Sequence, residues 1–185
     1  IATGATVGVM SATDRRQTTI QTEDETIEWK AGQSVPEKYA AASHLNFTSF
    51  NRRLLITGEV PNEEAKNAIG DLAAKVAGVK EVLNETTVGP ASTLSVRSND
   101  SYISSKVKAR FVDQKEFHLP HVKVVTEAGT VYLLGLVSQR EGDAATEVAR
   151  STNGVQKVVR VFEYISEEEA RRLDGSNRSA DSSTK

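Results

Sequence analysis

Cysteine is absent, which excludes disulfide frameworks, thiolate chemistry and cysteine-ligated zinc. Long apolar runs are missing too. The longest weakly polar stretch, Ile1 to Met10, falls well short of the ~20 residues that cross a bilayer, and it carries none of the basic residues that open a signal peptide. Neither sign of charge dominates: the net charge is −2 and no Lys/Arg block stands out. The chain therefore offers no basic arm to nucleic acid, and any electrostatic recognition has to be local. Catalytic signatures are equally scarce, with no Gly-x-Ser-x-Gly elbow and no His-Glu-x-x-His. The stretch from Gly4 to Gly8 is followed by no Lys-Ser/Thr, so it is not a phosphate loop. His118 and His121 are separated by Pro120, which breaks the helical face that i, i+3 metal ligands need. No nucleophile, base and oxyanion set can be assembled, so the chain reads as non-enzymatic, with neither cofactor nor metal.

Apolar residues make up 38% and charged residues 26% of 185, the composition of a globular chain that forms either one ordinary domain or two small ones. An internal repeat decides for two. Leu54-Leu55-Ile56-Thr57-Gly58-Glu59-Val60 parallels Val131-Tyr132-Leu133-Leu134-Gly135-Leu136-Val137 at an offset of 77, and Gly78-Val79-Lys80-Glu81-Val82 parallels Gly154-Val155-Gln156-Lys157-Val158 at 76. Upstream, His44-Leu45-Asn46-Phe47 pairs with His121-Val122-Lys123-Val124, and Ile27, Ala31 and Val35 pair with Ile103, Val107 and Phe111. The two histidines read as structural residues that open a strand.

Each copy reads helix, strand, strand, helix, strand. Ile103, Val107 and Phe111 form an i, i+4, i+8 stripe on a helix that Ser98, Asn99 or Asp100 would cap, and Pro120 ends anything helical. Val122 and Val124, then Val131 and Leu133, alternate around a turn at Glu127-Ala128-Gly129-Thr130, which predicts a hairpin. Ser138 to Glu141 has capping-box spacing ahead of Ala145, Val148 and Ala149. In the first copy Asn62 opens the matching helix, with Ala65, Ile69 and Leu72 facing inward. A hairpin pair is antiparallel and a helix-connected pair parallel, so the expected fold class is α+β: two tandem α-β-β-α-β modules, each a mixed three-stranded sheet covered by two helices.

The two Gly-x-Val segments, Gly58-Glu59-Val60 and Gly135-Leu136-Val137, each followed by a helix and a Gly-Val-x-x-Val, resemble the BON domain family. Ser98 to Lys108 and Ala12-Thr13-Asp14-Arg15-Arg16 resemble segments of the dual-BON outer-membrane lipoproteins. The expected organisation is an N-terminal extension over 1–21, a first BON domain over 22–88, a linker over 89–97, a second BON domain over 98–166, and a charged, Ser-rich tail over 167–185 that is expected to be disordered. The small apolar residues from Ile1 to Ala5 fit a leader or a lipidated cysteine removed from upstream. The resemblance implies a periplasmic protein held at the inner leaflet of the outer membrane by that lipid. It also implies recognition of anionic phospholipid by the second BON domain, and a role in envelope integrity and at the division site.

A candidate site follows from helical spacing. Tyr102, Lys106 and Arg110 lie four apart, ~100° from the core stripe. Lys108 adds charge, and between Asp100 and Asp113 no acidic residue cancels it. Tyr102 has an apolar body with a polar tip, and lysine stems can snorkel, so this face suits phosphatidylglycerol or cardiolipin at a membrane surface. At ~1 kcal/mol per basic residue the stripe would favour anionic over neutral lipid roughly a hundredfold. Phe117, in the following loop, is a candidate second insertion point. The bland alternatives are a merely solvated face, or Tyr102 packed against the other module. In the first copy the matching residues are Thr26, Lys30 and Ser34, amid Glu23, Asp24, Glu25 and Glu28, so lipid binding is expected of the second module alone. The rival function is a protein-interaction adaptor for outer-membrane assembly or for cell-wall and division factors. It would use the joint between modules and the sole tryptophan, Trp29, which is expected to face the other domain or a partner.

Overall fold

The computed structural model describes residues 14–115, 117 and 121–182; Gly4 to Gly8, Ala12, Thr13, His118 and Pro120 lie outside the described residues. The chain divides into two compact units, Thr18–Arg97 and a second that joins residues up to Gln17 with Ser98 onward. The first unit holds α1 (Thr18–Ser34), a short α2 (Glu37–Ala40), β1 (His44–Phe50), β2 (Arg53–Val60), α3 (Glu63–Ala74), β3 (Glu81–Asn84) and β4 (Thr87–Val88). Then come α4 (Leu94–Val112), β5 (Lys123–Glu127), β6 (Thr130–Val137), α5 (Gln139–Arg150), β7 (Lys157–Tyr164) and α6 (Glu167–Ser182).

In each unit the hairpin strands are antiparallel and the last strand returns parallel to the second hairpin strand, giving the orders β1-β2-β3 and β5-β6-β7. That is the topology expected from a hairpin followed by a helical crossover. In the first unit the last strand is broken in two, and β4 resumes pairing with β2 beyond Thr86. One core is built from Ile27, Ala31, Leu54, Ile56, Val60, Ala65 and Ile69. The other is built from Ile103, Val107, Phe111, Val131, Leu133, Val148, Ala149 and Phe162. The repeated glycines mark a close approach of backbones: a Cβ on Gly58 would lie 1.9 Å from the His44 carbonyl oxygen, and one on Gly135 2.1 Å from that of His121.

A buried carboxylate in the first helix of each unit was not anticipated. Asp24 accepts hydrogen bonds from Ser49 Oγ, Asn51 N and Arg52 N. Asp100 accepts from Ala128 N and Gly129 N. These amides belong to two-residue turns in which both central residues have positive φ, 53° and 66° at Asn51 and Arg52, and 47° and 79° at Ala128 and Gly129. Such turns suit the twist of the hairpin strands but strain side-chain-bearing residues. The carboxylates stabilise them while tying helix to hairpin.

Two expectations need correction. None of Ser98, Asn99 and Asp100 is the cap, because α4 begins at Leu94; Thr93 caps it, its Oγ accepting from Val96 N. α1 itself starts at Thr18. The expected tail is helical through Ser182. Ser166 Oγ accepts from Glu169 N at its start, three glutamates fill its first turn, Ala170 is buried, and Arg140 and Arg172 pair with Glu167 and Glu169. Acidic residues at a helix N-terminus favour the helix dipole, and these contacts supply what composition alone lacks.

Asp100→Ala leaves two turn amides without their acceptor and should destabilise the second module by about 2–4 kcal/mol, with Asp100→Asn falling between it and the parent. Urea unfolding followed by circular dichroism would measure this, and an unchanged midpoint would show that the turn holds without the carboxylate.

Candidate functional site

The face of α4 opposite the core is set by Asp100, Ile103, Val107 and Phe111, which point inward and are buried. With 3.6 residues per turn, Tyr102, Lys106, Ala109 and Val112 then point outward. Tyr102 is 62% exposed. Lys106 Nζ lies 4.6 Å from the centre of the Tyr102 ring and donates to the Asn153 carbonyl at 2.6 Å. Ring and ammonium thus form one preorganised unit over the end of α5, and an ammonium with three donors keeps capacity for a further acceptor. Lys108 is exposed.

Two of the anticipated residues are placed differently. Arg110 is exposed, but its Nη1 donates to the Val148 carbonyl, Ser151 Oγ and Thr152 Oγ1, so it caps the C-terminal end of α5. A cation there meets the negative pole of the helix dipole. Its charge remains near the face while its geometry is committed. Phe117 is only 2% exposed and stands edge-on to Phe111, with centroids 4.8 Å apart at 83°. Its burial in the core removes it as an insertion residue, since an aromatic ring gains more from covering the open end of the core than from water. Val112, 69% exposed at the end of α4, is the apolar residue that spacing arguments passed over. The first unit has no such face at its matching positions: Thr26 bonds back to its own helix, and Glu23 pairs with Arg52. Trp29 is 66% exposed.

A second polar constellation sits where β6 turns into α5. Ser138 and Glu141 form a capping box, Ser138 Oγ accepting from Glu141 N while Glu141 Oε1 accepts from Ser138 N. Into it runs Arg15, whose side chain is 3% exposed. Nε and Nη2 donate to Asp174, Nη1 to the Leu136 carbonyl and Glu141 Oε1, and Nη2 also to Glu141 Oε2. Every guanidinium N–H is thereby used. His121 completes the cluster, its Nε2 3.3 Å from Asp174 Oδ1. His44 opens β1, as expected, with its Nδ1 3.3 Å from Glu59 Oε1, whereas His121 stands two residues ahead of β5. Burial alone would push the Arg15 guanidinium down. Hydrogen bonds to Glu141 and Asp174, with the attraction of both charges, more than reverse this and raise it. Burial likewise pushes the Glu141 carboxyl up, but the bonds from Arg15 and Ser138 outweigh it and hold the group below its ordinary value.

Because Glu141 is depressed below its ordinary value near 4.5, its contribution to stability is complete above that pH and is lost as the pH falls through the lower folded-state value. Calorimetry between about pH 3 and pH 7 should show Tm declining only in the acid range. Glu141→Gln should be less stable at neutral pH and lose part of that acid slope; an identical slope would show that Glu141 is not the group responsible.

Among the described residues no helix is long and apolar enough to cross a membrane. The BON domain pattern matches residues 23–90 and again 99–166. The chain is 38% identical to outer membrane lipoprotein DolP of Haemophilus influenzae, over 88% of this chain and 85% of that protein. It is 32% identical to a 21 kDa hemolysin of Actinobacillus pleuropneumoniae, over 82% of this chain and 79% of the relative. Among solved structures, CdsD, a structural protein of the type III secretion system of Chlamydia trachomatis, matches 83% of this chain and 97% of its own at 14% identity and a TM-score of 0.32.

Proposed function

Because this chain belongs to the BON domain family, with both copies matched, we propose that it is a periplasmic outer-membrane lipoprotein that binds anionic phospholipid through the outward face of α4. The observation that carries this reading is the exposed Tyr102 ring with Lys106 held over it. A ring of this kind sits at headgroup depth with its hydroxyl toward water, and the ammonium beside it meets the phosphate. Val112 adds an apolar contact on the same helix, Lys108 adds charge, and the fixed Arg110 still contributes to the local field within a Debye length of ~8 Å. Phosphatidylglycerol and cardiolipin supply the anionic headgroups. Basic residues near an anionic leaflet are worth about 1 kcal/mol each, enough to choose a lipid but too little to hold a protein alone. The holding belongs to a lipid attached upstream, as in the outer membrane lipoprotein that the chain is similar to. Support of envelope integrity follows from keeping such a module at the inner leaflet.

Trp29, 66% exposed on α1, favours a second reading. A large exposed ring on an acidic helix is poorly suited to an anionic surface and well suited to a protein partner in outer-membrane assembly or cell-wall division.

Co-sedimentation with phosphatidylglycerol or cardiolipin vesicles distinguishes the two. Tyr102→Ala with Lys106→Glu changes the local charge by two, about 2 kcal/mol, and should weaken binding at least thirtyfold, with Trp29→Ala leaving it unchanged. Equal pelleting with neutral vesicles would overturn the lipid reading.

A further inference from the structure

The segment ahead of the first module is packed into the second one. Asp14 and Arg16 brace it: Asp14 Oδ1 accepts from Arg16 N, and the two side chains pair at 2.7 Å. Arg15 then bridges the end of β6, the first turn of α5 and the middle of α6, residues 121, 126 and 159 positions away in the chain. The receiving corner is specific to the second module. Three residues after the N-cap, α5 has the Glu141 carboxylate, while the matching place in α3 is held by Ala65, which gives only its amide to Asn62. The first module cannot hold an arginine in this way.

We propose that Arg15 is a clasp that fastens the second module, besides the first module that follows directly at Thr18, to whatever surface the upstream chain is attached to. The delivery rests on the membrane reading above; the clasp does not. With it closed, an attachment upstream of residue 14 is continuous with the module that bears Tyr102 and Lys106. With it open, the same attachment reaches that module only through the whole of Thr18–Arg97. A tether raises the local concentration of a site only when it connects short and directly, and the clasp removes about 80 residues from the connection. Lysine cannot replace the arginine, since it lacks the planar fork that engages two carboxylates at once.

Hydrogen exchange on the full chain without lipid tests the clasp. Arg15→Ala should speed exchange in residues 167–175 at least tenfold and leave the β5-β6-β7 amides unchanged, with Arg15→Lys only partly restoring protection. Unaltered protection of α6 in Arg15→Ala would overturn the clasp. Should Arg15→Ala unfold the second module, Asp174→Asn serves instead: it should release α6 while Glu141 keeps residues 14–17 protected, and protection of α6 equal to the parent would overturn the clasp. Delivery is tested on vesicles. The chain contains no cysteine, so Ala2→Cys gives a unique attachment to maleimide lipid, and Trp29→Phe with Tyr102→Trp gives a single reporter for quenching by brominated lipid. Half-maximal quenching should need several-fold less phosphatidylglycerol with Arg15 than with Ala at that position. Equal requirements would overturn delivery with the clasp intact; no quenching in either would overturn the membrane reading and delivery with it, and exchange would still judge the clasp.

Discussion

Taking a carboxylate out of water is costly unless donors meet it, and each module buries one in its first helix where the hairpin turn presents free amides. Asp24 and Asp100 are thus bound to turns whose positive φ values leave their N–H groups pointing at the helix. The bond fixes helix rotation as well as position. With Asp100 held inward, Ile103, Val107 and Phe111 follow it into the core, and Tyr102, Lys106 and Val112 have no choice but to face outward. The candidate lipid face is therefore a consequence of an interaction on the far side of the same helix.

On this shared frame the two copies diverge through side chains that the core does not constrain. The outer face of α1 is acidic around Trp29, and that of α4 is aromatic and basic. At the corner between the hairpin and the second helix, Ala65 stands in one copy and Glu141 in the other. That single difference turns an ordinary helix cap into a receptor for Arg15. A buried ion pair of this kind gives little net stability over apolar packing, but losing one partner strands the other, so it acts as a determinant of which segments belong together. It gathers the N-terminal segment, the second module and α6 into one unit.

The order of elements was legible in the sequence. Apolar spacing gave the helices and strands, the Gly58 and Gly135 repeat gave the two copies, and Ser138 with Glu141 gave the capping box that the structure contains. Tyr102 and Lys106 were legible for the same reason, because helical periodicity places residues four apart on one face. What composition misjudged was context. Residues 167–182 are poor in apolar side chains and were expected to be disordered, yet they form a helix stabilised by its cap and by pairing with residues far away. Phe117 sits in a loop, and loops are ordinarily exposed, but this ring covers the end of a core.

The sequence alone determined the repeat, the helix and strand periods, and the chemical character of the α4 face, because each of these depends on residues within one or two turns of one another. Only the tertiary structure decided that Arg110 serves the end of α5, that Phe117 is core, and that Arg15 meets a carboxylate 126 residues away. Those outcomes depend on which surfaces are brought together in space, and no local pattern of side chains encodes that distance.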